Sequence, residues 1–166
     1  MSVIRQITPN FAVSGALRAE DIRAVAAAGF RAIVSNLPDN EAAAPLSSAE
    51  EARLAAEAGL DFRHIPSTKH DVFSERVVGG MIQALNEMEG PVLGHCASGL
   101  RTALAWGGAA ARLQSPDCVL ATLRKAGFDL SAIREELDDQ HGKSVKVSAL
   151  PPALDCACGS AQTEKA

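Results

Sequence analysis

Twelve residues, Pro91-Val-Leu-Gly-His-Cys-Ala-Ser-Gly-Leu-Arg-Thr102, limit what this chain can fold into more than any other stretch. The short apolar run behind Pro91 predicts a buried strand, a glycine-containing turn follows, and Ala103-Leu104-Ala105-Trp106 continues as a helix. A strand that turns directly into a helix leaves unpaired N–H groups and the positive end of the helix dipole at the turn, an arrangement that holds an anion. Cys96 lies in that turn. A helix N-terminus and a nearby guanidinium draw a cysteine pKa from about 8.5 to roughly 3.5–7.5, so Cys96 is expected to be a thiolate nucleophile. The bland alternative is a small buried hydrophobe. Against it, a glycine, an arginine and a hydroxyl at these offsets serve no packing purpose.

Arg101 offers a planar fork that can hold two oxygens of a tetrahedral oxyanion. Gly99 lets the backbone turn its N–H inward, so the amides of Ala97, Ser98, Gly99 and Leu100 are expected to form an anion nest. Thr102 offers a hydroxyl within reach of the thiolate. This chemistry requires the sulfur of Cys96 to be open to solvent and Arg101 to be turned onto the loop.

At these residues the chain resembles known families. His95-Cys96, the following arginine and Thr102 look like the signature of the protein tyrosine phosphatase superfamily, but only Ala97 to Leu100 intervene between Cys96 and Arg101, one residue fewer than in those phosphatases. That shorter spacing is the pattern of single-domain rhodaneses. Both traits meet in the phosphatase-like domain of beta-lactamase hydrolase-like proteins, a family also described as sulfur transferases and sometimes fused to a persulfide dioxygenase. Thr8 to Gly15, Ala28-Gly29-Phe30 and Ser35 to Glu41 resemble that family as well, so that the likeness covers about residues 3–137. It implies that His95 steadies the loop by donating to a backbone carbonyl and helps keep Cys96 ionised, or else is merely packed. It also implies that a mobile loop near Asp71 can bring a general acid. An acid must stay protonated near neutral pH, which needs burial or a neighbouring negative charge. The other reading of Asp71 is an exposed loop residue or helix-start cap.

Length sets the scale. A chain of 166 residues, 47% of them apolar, fits one domain with a good core. The net charge of -4 argues against broad nucleic-acid or anionic-membrane binding. No apolar run is long enough to span a bilayer and the opening residues lack the core of a signal peptide, so a cytoplasmic location is expected. Cys96, Cys118, Cys156 and Cys158 are too few and too unevenly spaced for a disulfide framework. Reduced thiols are expected.

In chain order, Val3 to Ile7 and Phe11 to Ser14 read as a hairpin around Thr8-Pro9-Asn10. Leu17 to Ala28 reads as a helix, Phe30 to Asn36 as a strand, and Asn36 to Pro45 as a loop in which Asp39 either lines the site or serves the turn. Ser48 to Glu51 reads as a capping box opening a helix that ends at Gly59, and Asp61 to Ile65 as a strand. Pro66 to Phe73 is a polar loop holding Ser67, Lys69, His70 and Asp71, with His70 a candidate lining residue. His64 and His70 have no metal-site spacing, and no metal or cofactor is expected. Val77 to Met88, Ala103 to Leu113, Pro116 to Ala126 and Leu130 to His141 read as helices, with Trp106 a core anchor or a substrate platform. Residues 142–166 lack periodicity and read as a flexible tail whose Cys156 and Cys158 accept sulfur, bind a soft metal, link chains or do nothing.

The expectation is therefore a single α/β domain over residues 1–141, with a small, mostly parallel sheet between two helical layers, protein tyrosine phosphatase-like, followed by a tail. The favoured activity at this stage is cysteine-dependent sulfur transfer from thiosulfate or a persulfide to a thiol acceptor, with a persulfide dioxygenase as a partner. The alternatives are a phosphomonoesterase that forms a phosphocysteine, and a non-enzymatic persulfide-sensing or relay module.

Overall fold

Apolar residues alternate along the short strands, and this decides the architecture. Ala32 and Val34 face one layer while Ile33 faces the other; Val92 and Leu93 divide the same way, as do Phe11 and Ala12. Strands buried on both faces need helices on both sides. The computed structural model, which describes residues 3–158, has this arrangement. The strands β1 (Arg5–Thr8), β2 (Phe11–Ser14), β3 (Ala32–Ser35), β4 (Asp61–His64) and β5 (Val92–His95) form one sheet in the order β1-β2-β5-β3-β4. Only the β1–β2 hairpin is antiparallel.

Helices α1 (Ala19–Ala27) and α2 (Ser48–Glu57) cover one face, around Leu17, Ile22, Ile33, Ala55 and Leu93. The other face is covered by α3 (Glu75–Glu87), α4 (Leu100–Ala111), α5 (Pro116–Lys125) and α6 (Arg134–His141), around Phe11, Val34, Met81, Leu85, Trp106 and Leu123. Element types match the sequence reading, with most ends drawn in by one or two residues, α3 and α4 beginning two and three residues earlier than read, and a 3-10 turn at Ser131–Ile133 in front of α6. Chain ends of helices and strands fray, so this is where periodicity says least. The capping reading of α2 needs correction. Ser47 is the N-cap, accepting from the Glu50 N–H, and Glu51 is turned inward.

The expected flexible tail also needs correction for residues 151–156. A 3-10 turn at Pro152–Leu154 is pressed onto α4, with Ala153 and Leu154 buried. The Trp106 indole N–H donates to the Ala153 carbonyl at 2.9 Å, the Gln114 amide donates to the Leu154 carbonyl, and the Cys156 N–H donates to Gln114 Oε1 at 2.7 Å. A wholly buried indole needs an acceptor, and an irregular segment can supply one without any periodic pattern. This makes Trp106 a core anchor, stacked on Phe11 at 6.3 Å, rather than a substrate platform. Replacing Leu154 with Ala is expected to destabilise the domain by about 2–5 kcal/mol. Denaturant unfolding checks this, as a lower midpoint at unchanged slope.

Candidate active site

Parallel sheets place ligand sites beyond the C-terminal ends of their strands. Here the central strand, β5, ends at His95, in register with Ser14 of β2 and Ser35 of β3. The Asn36 N–H donates to the His95 carbonyl at 2.8 Å, and the Ala16 N–H to the Ala97 carbonyl at 3.3 Å, so both neighbouring strands tie down the loop that follows. Two glycines let that loop close. A Cβ on Gly94 would stand 2.6 Å from the Thr102 methyl carbon and 2.8 Å from the Phe11 ring, so only glycine lets the first turn of α4 rest on β5. Gly99 has φ +96°, a left-handed conformation that costs most residues strain, and it is the N-cap of α4.

The turn aims the Gly99 N–H at Cys96 Sγ, 3.1 Å away. Arg101, from the first turn of α4, gives its hydrogen bonds to Glu41 and the Ser67 carbonyl, and it is held further above its ordinary pKa mainly by Glu41, with the nearby Cys96 adding to the effect. The loop thus surrounds the sulfur with an amide donor, a guanidinium and a helix N-terminus, which together suit an anionic sulfur.

Several expected roles fall out differently. Thr102 makes no bond to the thiol: it is wholly buried and its hydroxyl has no hydrogen-bond partner, because its methyl is turned onto Gly94. His95 does not donate to a backbone carbonyl. Its Nε2 is bonded to Glu51 Oε1, both side chains are buried, and Nδ1 is without a partner. Asp39 accepts from the Ser48 N–H and hydroxyl at 2.6 and 2.8 Å, bonds that lower its pKa. It fastens the loop to α2, the turn reading rather than the lining one. His70 is exposed.

Asp71 is fastened as well. It accepts from the Thr68 N–H at 2.7 Å and pairs with Arg76 at 2.7 Å, and these partners, the Thr68 amide first, hold its carboxyl below the usual range. A general acid must carry a proton, and this group is held ionised. In this conformation Asp71 is a loop anchor ahead of α3.

Glu41, which the Asn36–Pro45 loop carries beside Asp39, has no role of its own in the sequence reading. Its carboxylate grips the Arg101 fork end-on, accepting from Nη1 at 2.7 Å and Nη2 at 2.8 Å, while Nη1 also donates to the Ser67 carbonyl at 2.7 Å. The guanidinium lowers the Glu41 pKa. Nothing local marks this pair, which joins loops 60 residues apart in sequence.

The grip bears on access. Cys96 is 1% exposed, so the sulfur is covered rather than open to solvent as the sequence reading required. Two cavities, of about 560 and 290 Å³, lie elsewhere, beside α3 and residues 144–147 and at the Asn10–Met88 end of the sheet. The Glu41 carboxylate occupies the Nη groups that an anion approaching the sulfur would use. Of the tail thiols, burial pushes that of Cys156 up to about 12, and contact with Cys118 and burial raise that of Cys158. Among the described residues no group of His, Cys, Asp and Glu is placed to hold a metal ion, and no helix is long and apolar enough to cross a membrane.

A mixed five-stranded sheet flanked by helices is the fold of protein tyrosine phosphatase-like phosphatases. The core catalytic domain of the PP-IP phosphatase Siw14 from S. cerevisiae shares this fold at a TM-score of 0.57 and 12% identity, over 97% of this chain and 92% of that one. Within that class the chain belongs to the beta-lactamase hydrolase-like protein, phosphatase-like domain family, which matches residues 3–112. It is 30% identical over 143 residues to a beta-lactamase hydrolase-like protein of Agrobacterium fabrum, a match that takes in 84% of this chain and 32% of the relative. The chain thus spans about a third of that curated relative's length. A solved structure from Neisseria meningitidis, provisionally assigned as a phosphatase, matches with a TM-score of 0.67 and 30% identity, over 82% of this chain and 97% of that one.

These relationships overturn the expectation of sulfur transfer, and they lend no support to a persulfide dioxygenase partner or a relay module. That expectation rested on the four residues between Cys96 and Arg101. The spacing occurs here inside a phosphatase-like domain, so loop length does not separate sulfur from phosphate.

Proposed function

We propose that the domain is a cysteine-dependent phosphatase acting on small phosphomonoesters. The observation that carries this reading is the convergence of Cys96 Sγ, the Gly99 N–H and the Arg101 guanidinium at the end of the central strand of a phosphatase-like domain. The Cys96 thiolate attacks phosphorus, the ester P–O bond breaks with its electron pair going to the leaving oxygen, and a phosphocysteine forms. Water then attacks the same phosphorus and returns the thiolate with release of phosphate. Arg101 and the loop amides hold the equatorial oxygens, where negative charge is carried through both steps. With Asp71 held ionised, the leaving group departs without a proton from that side chain. This favours substrates whose leaving group is a stable anion, aryl phosphates among them.

Release of inorganic phosphate from an aryl monoester by the purified protein tests this reading. Steady turnover, inhibited competitively by vanadate, is expected; no phosphate release would defeat it. The covered sulfur adds a second expectation. The Glu41 carboxylate competes with an anion for the same Nη groups, so Glu41→Gln should lower KM for the aryl phosphate by roughly tenfold, the equivalent of one charge-assisted contact. An unchanged or higher KM would show that Glu41 does not obstruct the site.

A further inference from the structure

We propose that Glu51 is a positioning residue for the nucleophile, acting through His95 to keep Cys96 beneath the loop amides; its effect on turnover rests on the phosphatase reading, its effect on the thiol does not. The Glu51 side chain is 5% exposed and that of His95 1%, and each is the other's bonding partner across 44 residues of sequence. A carboxylate oxygen only accepts, so His95 Nε2 carries the proton and the imidazole is fixed in one orientation.

The position is a poor one for a charge. In α2 only Glu51 and Ala55 are buried, one turn apart on the face laid against the sheet, where an apolar side chain would pack without any desolvation penalty. The carboxylate instead spans from the first turn of α2 to the last residue of β5, directly before the nucleophile. The His95 main chain is already held by β2, β3 and the Asn36 N–H, so the side-chain bond adds the one constraint the sheet cannot supply. The same crossover from β3 to β4 carries Glu41. These two of its carboxylates therefore bracket the loop, Glu51 on the residue before Cys96 and Glu41 on the arginine that ends it.

The test compares Glu51→Ala, Glu51→Gln, His95→Ala and the double variant Glu51→Ala/His95→Ala, with aryl phosphate turnover and iodoacetamide alkylation of Cys96, read by peptide mass, as independent measurements. Misplacing a reacting atom by about 1 Å costs on the order of 100-fold, so Glu51→Ala is expected to lose roughly 10- to 100-fold in kcat with KM changed less than about threefold. Glu51→Gln, which keeps an acceptor of the same shape, should recover to within about fivefold of wild type, and it answers the objection that Glu51→Ala simply folds poorly. Because Glu51 acts through His95, the double variant should lose no more than His95→Ala alone. With the clamp gone the covered sulfur should be alkylated about fivefold faster or more, while Cys118 keeps its rate. Additive losses in the double variant, or a Cys96 alkylation rate within about twofold of wild type in Glu51→Ala, would overturn the proposal. A protein that turns over no aryl phosphate yet shows the accelerated alkylation would defeat the phosphatase reading and leave this one standing. Turnover untouched by Glu51→Ala would do the reverse.

Discussion

Replacing Cys96 with serine is expected to abolish aryl phosphate turnover, a loss on the order of 10⁴-fold or more, while leaving the fold intact. The hydroxyl occupies the same place at the end of β5, with the Gly99 N–H still aimed at it, but a serine hydroxyl is far harder to ionise than a thiol, and His95 Nδ1, though unpartnered, makes no hydrogen bond to the side chain at position 96. His95, the adjacent residue, has Nε2 committed to Glu51. Binding should survive the change, because Arg101 and the loop amides do not depend on the sulfur. Competitive inhibition constants set against turnover would separate the two effects. Residual turnover above about 1% of wild type would mean that another group performs the attack.

Arg101→Lys is expected to cost roughly 10²- to 10³-fold in kcat/KM, the usual loss when a donor aimed at transition-state oxygens is removed. A lysine keeps the charge but not the fork, and the fork has two partners here: it pairs with Glu41 end-on and donates to the Ser67 carbonyl. One ammonium cannot present the two parallel N–H donors that a phosphoryl group displacing Glu41 would meet on the arginine. The loss should appear in both kcat and KM. A tenfold or smaller effect would indicate that the loop amides alone carry the anion.

What the sequence disclosed follows from the range over which its signals act. Pro91 to Trp106 could be read as strand, turn and helix because alternation, a left-handed glycine and helical spacing are local properties, and these decide where Cys96 and Arg101 stand. The three-layer sheet was legible for the same reason, from Ala32-Ile33-Val34 and Val92-Leu93 buried on both faces. The pairs that refine the site are not local. Glu41 meets Arg101 and Glu51 meets His95 over 60 and 44 residues, and each glutamate had an adequate local explanation, a turn and a capping box. Two neighbouring serines made that box ambiguous, and one residue's shift in the cap, from Ser48 to Ser47, moved Glu51 from helix end to interior. Residues 151–156 escaped notice because their contacts are made by backbone carbonyls, which side-chain patterns do not report. Loop length misled about chemistry because a narrow mouth is not the same property as the identity of the atom attacked.

Turnover through a phosphocysteine requires a covalent bond between Cys96 Sγ and phosphorus. Acid quenching of the protein during turnover of an aryl phosphate, followed by intact-mass and peptide-mass measurement, observes that bond directly. One phosphoryl group is predicted on wild-type protein, mapped to the peptide holding Cys96 and missing from Cys96→Ser. Turnover without any such adduct, or an adduct on another residue, would contradict it.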